Sequence, residues 1–278
     1  STPLTWKKIW VAGSMGPTSK SLSLASDMNT PGYRAMTFDE MSAAYYEQAE
    51  ALVAGGVDLI LLETCFDALN AKAAVYAIER VGEETGRQIP LMISATVNDR
   101  SGRTLTGQTL EAFYISIAHY PRLLSFGLNC SFGVTDLRPF VEQLSSRIPV
   151  FLSLYPNAGL PNEMGEYNEL PSYTASHLKQ MAEAGFINIA GGCCGTNEDH
   201  IRAISAAMKG LMPRVVPAAD HRMWLSGLEP LLVDQATTNF TNVGERTNVA
   251  GSRKFARLIA EKKYDEAITV ARHQIEGG

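Results

Sequence analysis

The chain has 278 residues, 45% hydrophobic and 19% charged, with a formal net charge of −5. That length suits one large α/β domain or two smaller ones, and the acidic balance gives no reason to expect nucleic acid or an anionic membrane as a partner. No apolar run approaches the roughly 20 residues of a membrane span, and four unevenly placed cysteines read as thiols of a reducing, cytoplasmic compartment rather than as a disulfide framework.

The chain opens Ser1-Thr2-Pro3 without a methionine and closes on Gly277-Gly278 just past a helical pattern, so it is expected to be a segment of a longer protein. A strand pattern comes first, over 9–14, followed by Met15-Gly16-Pro17-Thr18 and a polar loop through Pro31-Gly32. A helix is predicted over 37–54, with Thr37 and Glu40 spaced as a capping box and Gly55-Gly56 as the stop. The apolar run 58–63 suits a strand buried on both faces, and the alanine-rich stretch 67–81 a helix. The cycle then repeats: strand 90–97 and helix 110–119, strand 123–129 and helix 134–146, strand 149–155 and helix 172–185, strand 186–190 and helix 197–209.

Six such units imply parallel strands joined by right-handed crossovers. An open doubly wound sheet competes with the eight-stranded barrel of the (β/α)8 TIM type. No Gly-x-Gly-x-x-Gly follows the first strand, and the residues with reactive chemistry stand just after strands: Glu63, Asn129 with Cys130, Asn157, and Cys193 with Cys194. A barrel gathers strand ends at one rim, so a truncated barrel over 1–211 is favoured, lacking two units at its N-terminal side. Pro213, Pro217 and Pro230 punctuate 212–237, which shows no clear period and reads as a linker. A strand pattern at 240–243, then Gly244-Glu245-Arg246-Thr247-Asn248 and two helical stretches, make 238–278 the expected opening of a second domain. Such a barrel has open sheet edges, prone to pairing or aggregation.

The most informative stretch is Gly191-Gly192-Cys193-Cys194-Gly195-Thr196, after an apolar strand and before a helix. Cys130 ends another strand in the same way. Three sulfurs at two parallel strand ends make a metal site with one position left over, the open form of a thiolate zinc centre. A thiol that takes the fourth position is deprotonated, which suits alkyl transfer to sulfur. The plainer reading makes these cysteines small buried hydrophobes in a non-catalytic scaffold. Cys65 is a possible fourth ligand, although Phe66 and the helix after it favour packing. His119, His177, His200 and His273 all fall in helical stretches and read as solvated or structural. Glu63 is the best carboxylate for a substrate ammonium group. Asn157 in Pro156-Asn157-Ala158-Gly159 is either a turn former or a substrate contact.

Phe126-Gly-Leu-Asn-Cys130, Gly191-Gly-Cys-Cys-Gly195, Leu62-Glu63-Thr64 with the helix after it, and Pro156-Asn-Ala-Gly-Leu-Pro161 together resemble the homocysteine-binding barrel of the cobalamin-dependent methionine synthase family. Asn242-Val-Gly-Glu-Arg-Thr-Asn248 resembles the start of that family's folate-binding barrel. The resemblance implies that Cys130, Cys193 and Cys194 ligate zinc and that the homocysteine sulfur takes the fourth position. It further implies methylcobalamin as methyl donor, carried by a cobalamin domain of the parent chain, with methyltetrahydrofolate as the ultimate donor. By the same carry-over, Glu63 binds the homocysteine ammonium, and Asn242, Arg246 and Asn248 lie on the pterin side. Zinc barrels that use betaine or S-methylmethionine share the three cysteines but do not continue into the Asn242–Asn248 motif. The first two strand–helix units of the family pattern, with their rim motifs, are missing here, so methyl transfer is expected to need more than this segment.

Overall fold

Thr37 and Glu40 form both bonds of the capping box and start α1 (Phe38–Ala54), and Asp67 caps α2 (Ala68–Thr85), whose end is the left-handed Gly86. Thr109 opens α3 (Leu110–Ile117), and α4 (Val134–Ser145), α5 (Pro171–Glu183) and α6 (Glu198–Ala207) complete the crossovers. This is a computed structural model, and it describes residues 9–27, 29–30, 32–238, 240–241 and 243–277. Between the helices run β1 (Ala12–Met15), β2 (Leu59–Cys65), β3 (Leu91–Ala95), β4 (Leu123–Asn129), β5 (Phe151–Tyr155) and β6 (Ile189–Ala190).

All six strands are parallel, in the order β1-β2-β3-β4-β5-β6. A doubly wound sheet reverses its order at a switch point; this one never does. Each helix from α1 to α6 packs on the next, as helices do when they all lie on the outer side of one curling sheet. The architecture is therefore an α/β half-barrel. Among the described residues β1 and β6 each pair on one side only. One continuous core joins sheet and helices, with Met15, Ile60, Leu62, Leu91, Ile93, Phe113, Phe126 and Leu128 all but fully buried. Each such side chain contributes about 1.5–3 kcal/mol of burial free energy. No helix among the described residues is long and apolar enough to cross a membrane.

The stretch expected as a linker is in part structured. β7 (Met223–Ser226) and β8 (Pro230–Val233) form a two-stranded ribbon. It is fastened to α3: Ser226 Oγ donates to Ala112 O at 2.6 Å, Gln108 Nε2 to Gly227 O at 2.8 Å, and Thr109 N–H to Leu228 O at 2.9 Å. Four-residue strands held by side-chain anchors leave too short a period to read from sequence. Just before the ribbon, Arg214 is 3% exposed and donates to the carbonyls of Ser145, Val150 and Ile148. The chain divides into two compact units at Leu231/Leu232. The second unit holds α7 (Gln235–Thr238), α8 (Arg253–Ala260) and α9 (Tyr264–Glu276), with Leu258, Ala267 and Val270 as its small core. The strand expected at 240–243 is not formed at Phe240, Thr241 or Val243, and Asn242 lies outside the described residues. β6 is also shorter than expected, two residues of the predicted five.

Gly127 marks where the sheet is tightest. A Cβ built there would stand 2.0 Å from Ser153 O and 2.2 Å from Ser153 Oγ on the paired strand. Gly127→Ala is expected to destabilise the chain by about 1–3 kcal/mol through overpacking. A lowered urea midpoint with an unchanged slope would show it.

Candidate metal centre

Because the strands are parallel, their carboxyl ends share one rim, and the chain puts its reactive groups there. Glu63 lies near the end of β2, Cys130 follows β4, Asn157 follows β5, and Cys193 and Cys194 follow β6. Cys130 and Ser131 both adopt left-handed backbone, φ 62° and 63°. That sharp exit turns Cys130 back over the rim instead of letting it run on into α4. The second cysteine loop is closed by Thr196, whose N–H and hydroxyl donate to Cys193 O at 3.1 and 2.7 Å. Gly195 permits the closure: its φ is +77°, and a Cβ there would meet Tyr167 at 2.2 Å.

The result is a sulfur triangle. Cys130 Sγ lies 3.7 Å from Cys194 Sγ, and Cys193 Sγ 4.0 Å from Cys194 Sγ; all three atoms fall within 4.8 Å of one another. A zinc–sulfur bond of about 2.3 Å in tetrahedral geometry requires sulfurs about 3.8 Å apart. The donor set therefore fits zinc in both chemistry and spacing. Cys130 and Cys193 are half-buried and Cys194 is exposed, so the triangle keeps a side open to solvent.

The three thiols hold their protons unequally. The hydrogen bond with Cys193 holds the Cys130 thiol down, at about 5. The same contact pushes Cys193 up, and burial pushes Cys194 up. The three sulfurs therefore titrate as one coupled set, in which a single thiolate, favoured at Cys130, opposes loss of the next protons.

Asn157 is 3% exposed, and its Oδ1 accepts the Cys194 N–H at 3.2 Å while its own N–H donates to Phe132 O at 3.1 Å. It joins the β4 and β6 loops. Glu63 is half-buried, and its Oε1 accepts from Ser14 Oγ on β1. Burial first, and then the Glu63 charge, push Tyr155 up. Cys65 is buried, kept as a thiol by burial first and then by the charges of Glu63 and Asp67, and stands outside the triangle. No histidine joins the cluster among the described residues. His200 is 4% exposed, bonded through Nδ1 within the α6 cap and through Nε2 to Glu169 O at 3.0 Å.

Arg246 and Asn248 belong to the second unit. The Asn248 amide folds back on its own turn, donating to Glu245 O and accepting from Gly251 N–H, and Arg246 Nε stands 3.4 Å from Glu245. Three sets of contacts at the first unit's rim escaped sequence reasoning, although Asn129 itself stood out there at a strand end beside Cys130. Asp67 clamps the segment after β1, accepting from Ser21 Oγ at 2.5 Å and Ser23 Oγ at 2.7 Å. Thr64 takes left-handed backbone at φ 59°, unfavourable for a β-branched residue by about 1–3 kcal/mol. Asn129 is tied to Thr64, Ser94 and Cys193. The one available signal was a polar Asn ending an apolar strand.

The sequence model of the homocysteine S-methyltransferases matches residues 2–208. The chain belongs to that family. Its structure is similar to the homocysteine methyltransferase MmuM from Escherichia coli in the apo form, at 24% identity and a TM-score of 0.52 over 72% of this chain and 62% of that one. For the metallated form the figures are 25% identity, TM-score 0.54, 71% of this chain and 61% of that one. The chain thus spans about three fifths of the length of these relatives.

Zinc uptake at pH 7 is expected to release about two protons, since Cys130 is already a thiolate there while Cys193 and Cys194 are not. Protons compete with the metal, so affinity falls as pH drops, and more steeply once pH passes below about 5 and Cys130 protonates as well. Titration of zinc into weakly buffered protein with a pH indicator measures both effects.

Proposed function

We propose that the chain is a zinc-dependent methyltransferase domain that methylates the thiol of homocysteine to give methionine. The observation that carries this reading is the sulfur triangle at zinc spacing, on a chain of the homocysteine S-methyltransferase family. The metallated form of a structural relative supports a metal on these cysteines. Zinc held by Cys130, Cys193 and Cys194 would supply a thiolate-rich centre on which a substrate thiol is deprotonated yet remains electron-rich.

The chain's own residues do the rest. The half-buried Glu63 carboxylate, steadied by Ser14, receives the homocysteine ammonium group. Cys194, on the exposed side of the triangle, leaves the substrate sulfur an approach from solvent. The thiol proton passes to water. The sulfur lone pair then forms the new S–CH3 bond as the donor's bond to its methyl carbon breaks and keeps its electron pair.

Two donors remain in contention. The family match, which ends at residue 208, covers a homocysteine S-methyltransferase domain alone and is compatible with a small methyl-onium donor such as S-methylmethionine or betaine. The run from 242 to 248, beyond that match, favours methylcobalamin recharged from methyltetrahydrofolate. On that second reading 1–211 forms the homocysteine part, 212–237 the connection and 238–278 the opening of a pterin-binding part, with Asn242, Arg246 and Asn248 toward the folate.

Incubating zinc-loaded chain with homocysteine and each methyl-labelled donor, and measuring labelled methionine, decides between them. Label from S-methylmethionine or betaine alone supports the first reading, and label from methylcobalamin with decay of its visible band supports the second. Cys193→Ala is expected to lose zinc and all transfer. Retained zinc-dependent transfer in that variant would sink the proposal. Glu63→Gln is expected to raise the KM for homocysteine by roughly 10- to 100-fold, as loss of a charge-assisted contact of about 1.5–3 kcal/mol implies, while leaving zinc stoichiometry unchanged.

A further inference from the structure

Asn129 is the last residue of β4, one position before Cys130, and is 1% exposed. Its Oδ1 accepts the Thr64 backbone N–H at 3.0 Å and the Ser94 hydroxyl at 2.7 Å. Its Nδ2 donates to Thr64 Oγ1 at 2.9 Å and faces Cys193 Sγ at 3.6 Å. The orientation of this amide is not a free choice. A backbone N–H can only be accepted, so the atom facing Thr64 N must be the oxygen. Turning the amide over would set two donors against each other. With the oxygen fixed, the remaining N–H points at the Cys193 sulfur, and all four hydrogen-bonding positions of the amide are in use.

Thr64 is the left-handed residue of an irregularity in β2, whose register with β3 shifts between Leu62 and Cys65. Glu63 lies within that same irregularity. One buried amide thus holds the backbone next to the carboxylate at one end and a cysteine sulfur at the other. We infer that Asn129 is a positioning residue that couples the amino-acid side of the site to its metal side. Its N–H donates to the Cys193 sulfur and draws electron density from it, while its carbonyl holds the bend that aims Glu63. The inference deepens the proposed function and rests on it.

The test uses cobalt(II) in place of zinc as a visible probe, with L-homocysteine as the titrant. Asn129→Asp keeps an acceptor for Thr64 N–H and Ser94 but removes the donor to sulfur. It is expected to move the thiolate-to-cobalt band to lower energy and to weaken homocysteine binding roughly 10- to 100-fold, the usual range for partners that orient metal ligands. Ser94→Ala leaves the N–H in place and is expected to leave the band where wild type has it. Adding Thr64→Gly to Asn129→Ala is expected to restore homocysteine affinity toward wild type, since glycine holds a positive φ without a clamp, while the band stays shifted. An Asn129→Asp band and affinity equal to those of wild type, or a band that moves in Ser94→Ala, overturns the inference and leaves the thiol-transfer reading standing. Wild-type protein with cobalt–thiolate bands that ignore homocysteine overturns that reading, and the inference falls with it.

Discussion

Cys130 and the Cys193–Cys194 pair come from β4 and β6, two strands that never touch, and the end of β5 between them sets their separation. Tyr155 O receives the Cys130 N–H at 3.4 Å, and Pro156 O receives the Cys193 N–H at 2.8 Å. Asn157 takes the Cys194 N–H, and Ala158 N–H donates to Cys194 O at 2.9 Å. Four consecutive residues thereby grip both cysteine loops, Tyr155, Pro156 and Ala158 through main-chain atoms and Asn157 through its buried side-chain amide. A pair of strands about 4.8 Å apart per step would leave residues two strands apart too distant for zinc. The left-handed exit at Cys130 and the tight turn at Gly195 bring the sulfurs inward over that gap.

The rim is polar beneath as well as above, and that has a cost. Ser94, Asn129, Ser153 and Asn157 are all nearly buried in or just beyond strands. The buried Ser125, Ser153 and Tyr155 hydroxyls have no hydrogen-bond partner among the described residues. Each unpaired group of this kind costs about 1–3 kcal/mol relative to a satisfied one. A sheet built for stability alone would place valine or isoleucine at such positions. The hydrocarbon layer below them, from Met15 through Ile93 to Phe126, offsets the cost and leaves the upper layer free to carry chemistry.

The period of the apolar runs made the six strand–helix units legible, because strands buried on both faces and capped amphipathic helices write themselves into local sequence. Cys193-Cys194 between glycines was legible for another reason: paired thiols at a strand-to-helix loop are rare enough to mean something alone. What stayed hidden depends on contacts between distant residues. Asn129 gains its meaning only when β2 lies two strands away and bends at Thr64. The ribbon of β7 and β8 depends on Gln108 and Ser116 of another segment, since Ser226 Oγ stands 2.8 Å from Ser116 Oγ. Neither has a period, a cap or a motif of its own. The division at Leu231 was hidden for the same reason, because prolines mark where a chain cannot be helical and say nothing of where it is fastened.

Metal binding and local order are bound together at this rim. The loops after β4, β5 and β6 hold one another by hydrogen bonds among their own residues. Without a metal, three sulfurs share one favoured negative charge across 3.7–4.0 Å. With a divalent cation all three become thiolates, and their mutual repulsion turns into shared attraction to the centre. The free energy of metal binding is then partly the free energy of fixing these loops. The arrangement explains why the hydrogen-bonding groups around the cysteines are mostly backbone N–H donors and amides: they favour thiolates without adding a competing cation. An arginine or lysine in the same place would neutralise the sulfurs and weaken their hold on zinc. On the proposed reading, the site thus sacrifices some stability of the empty protein to keep its charge for a metal and a thiol substrate.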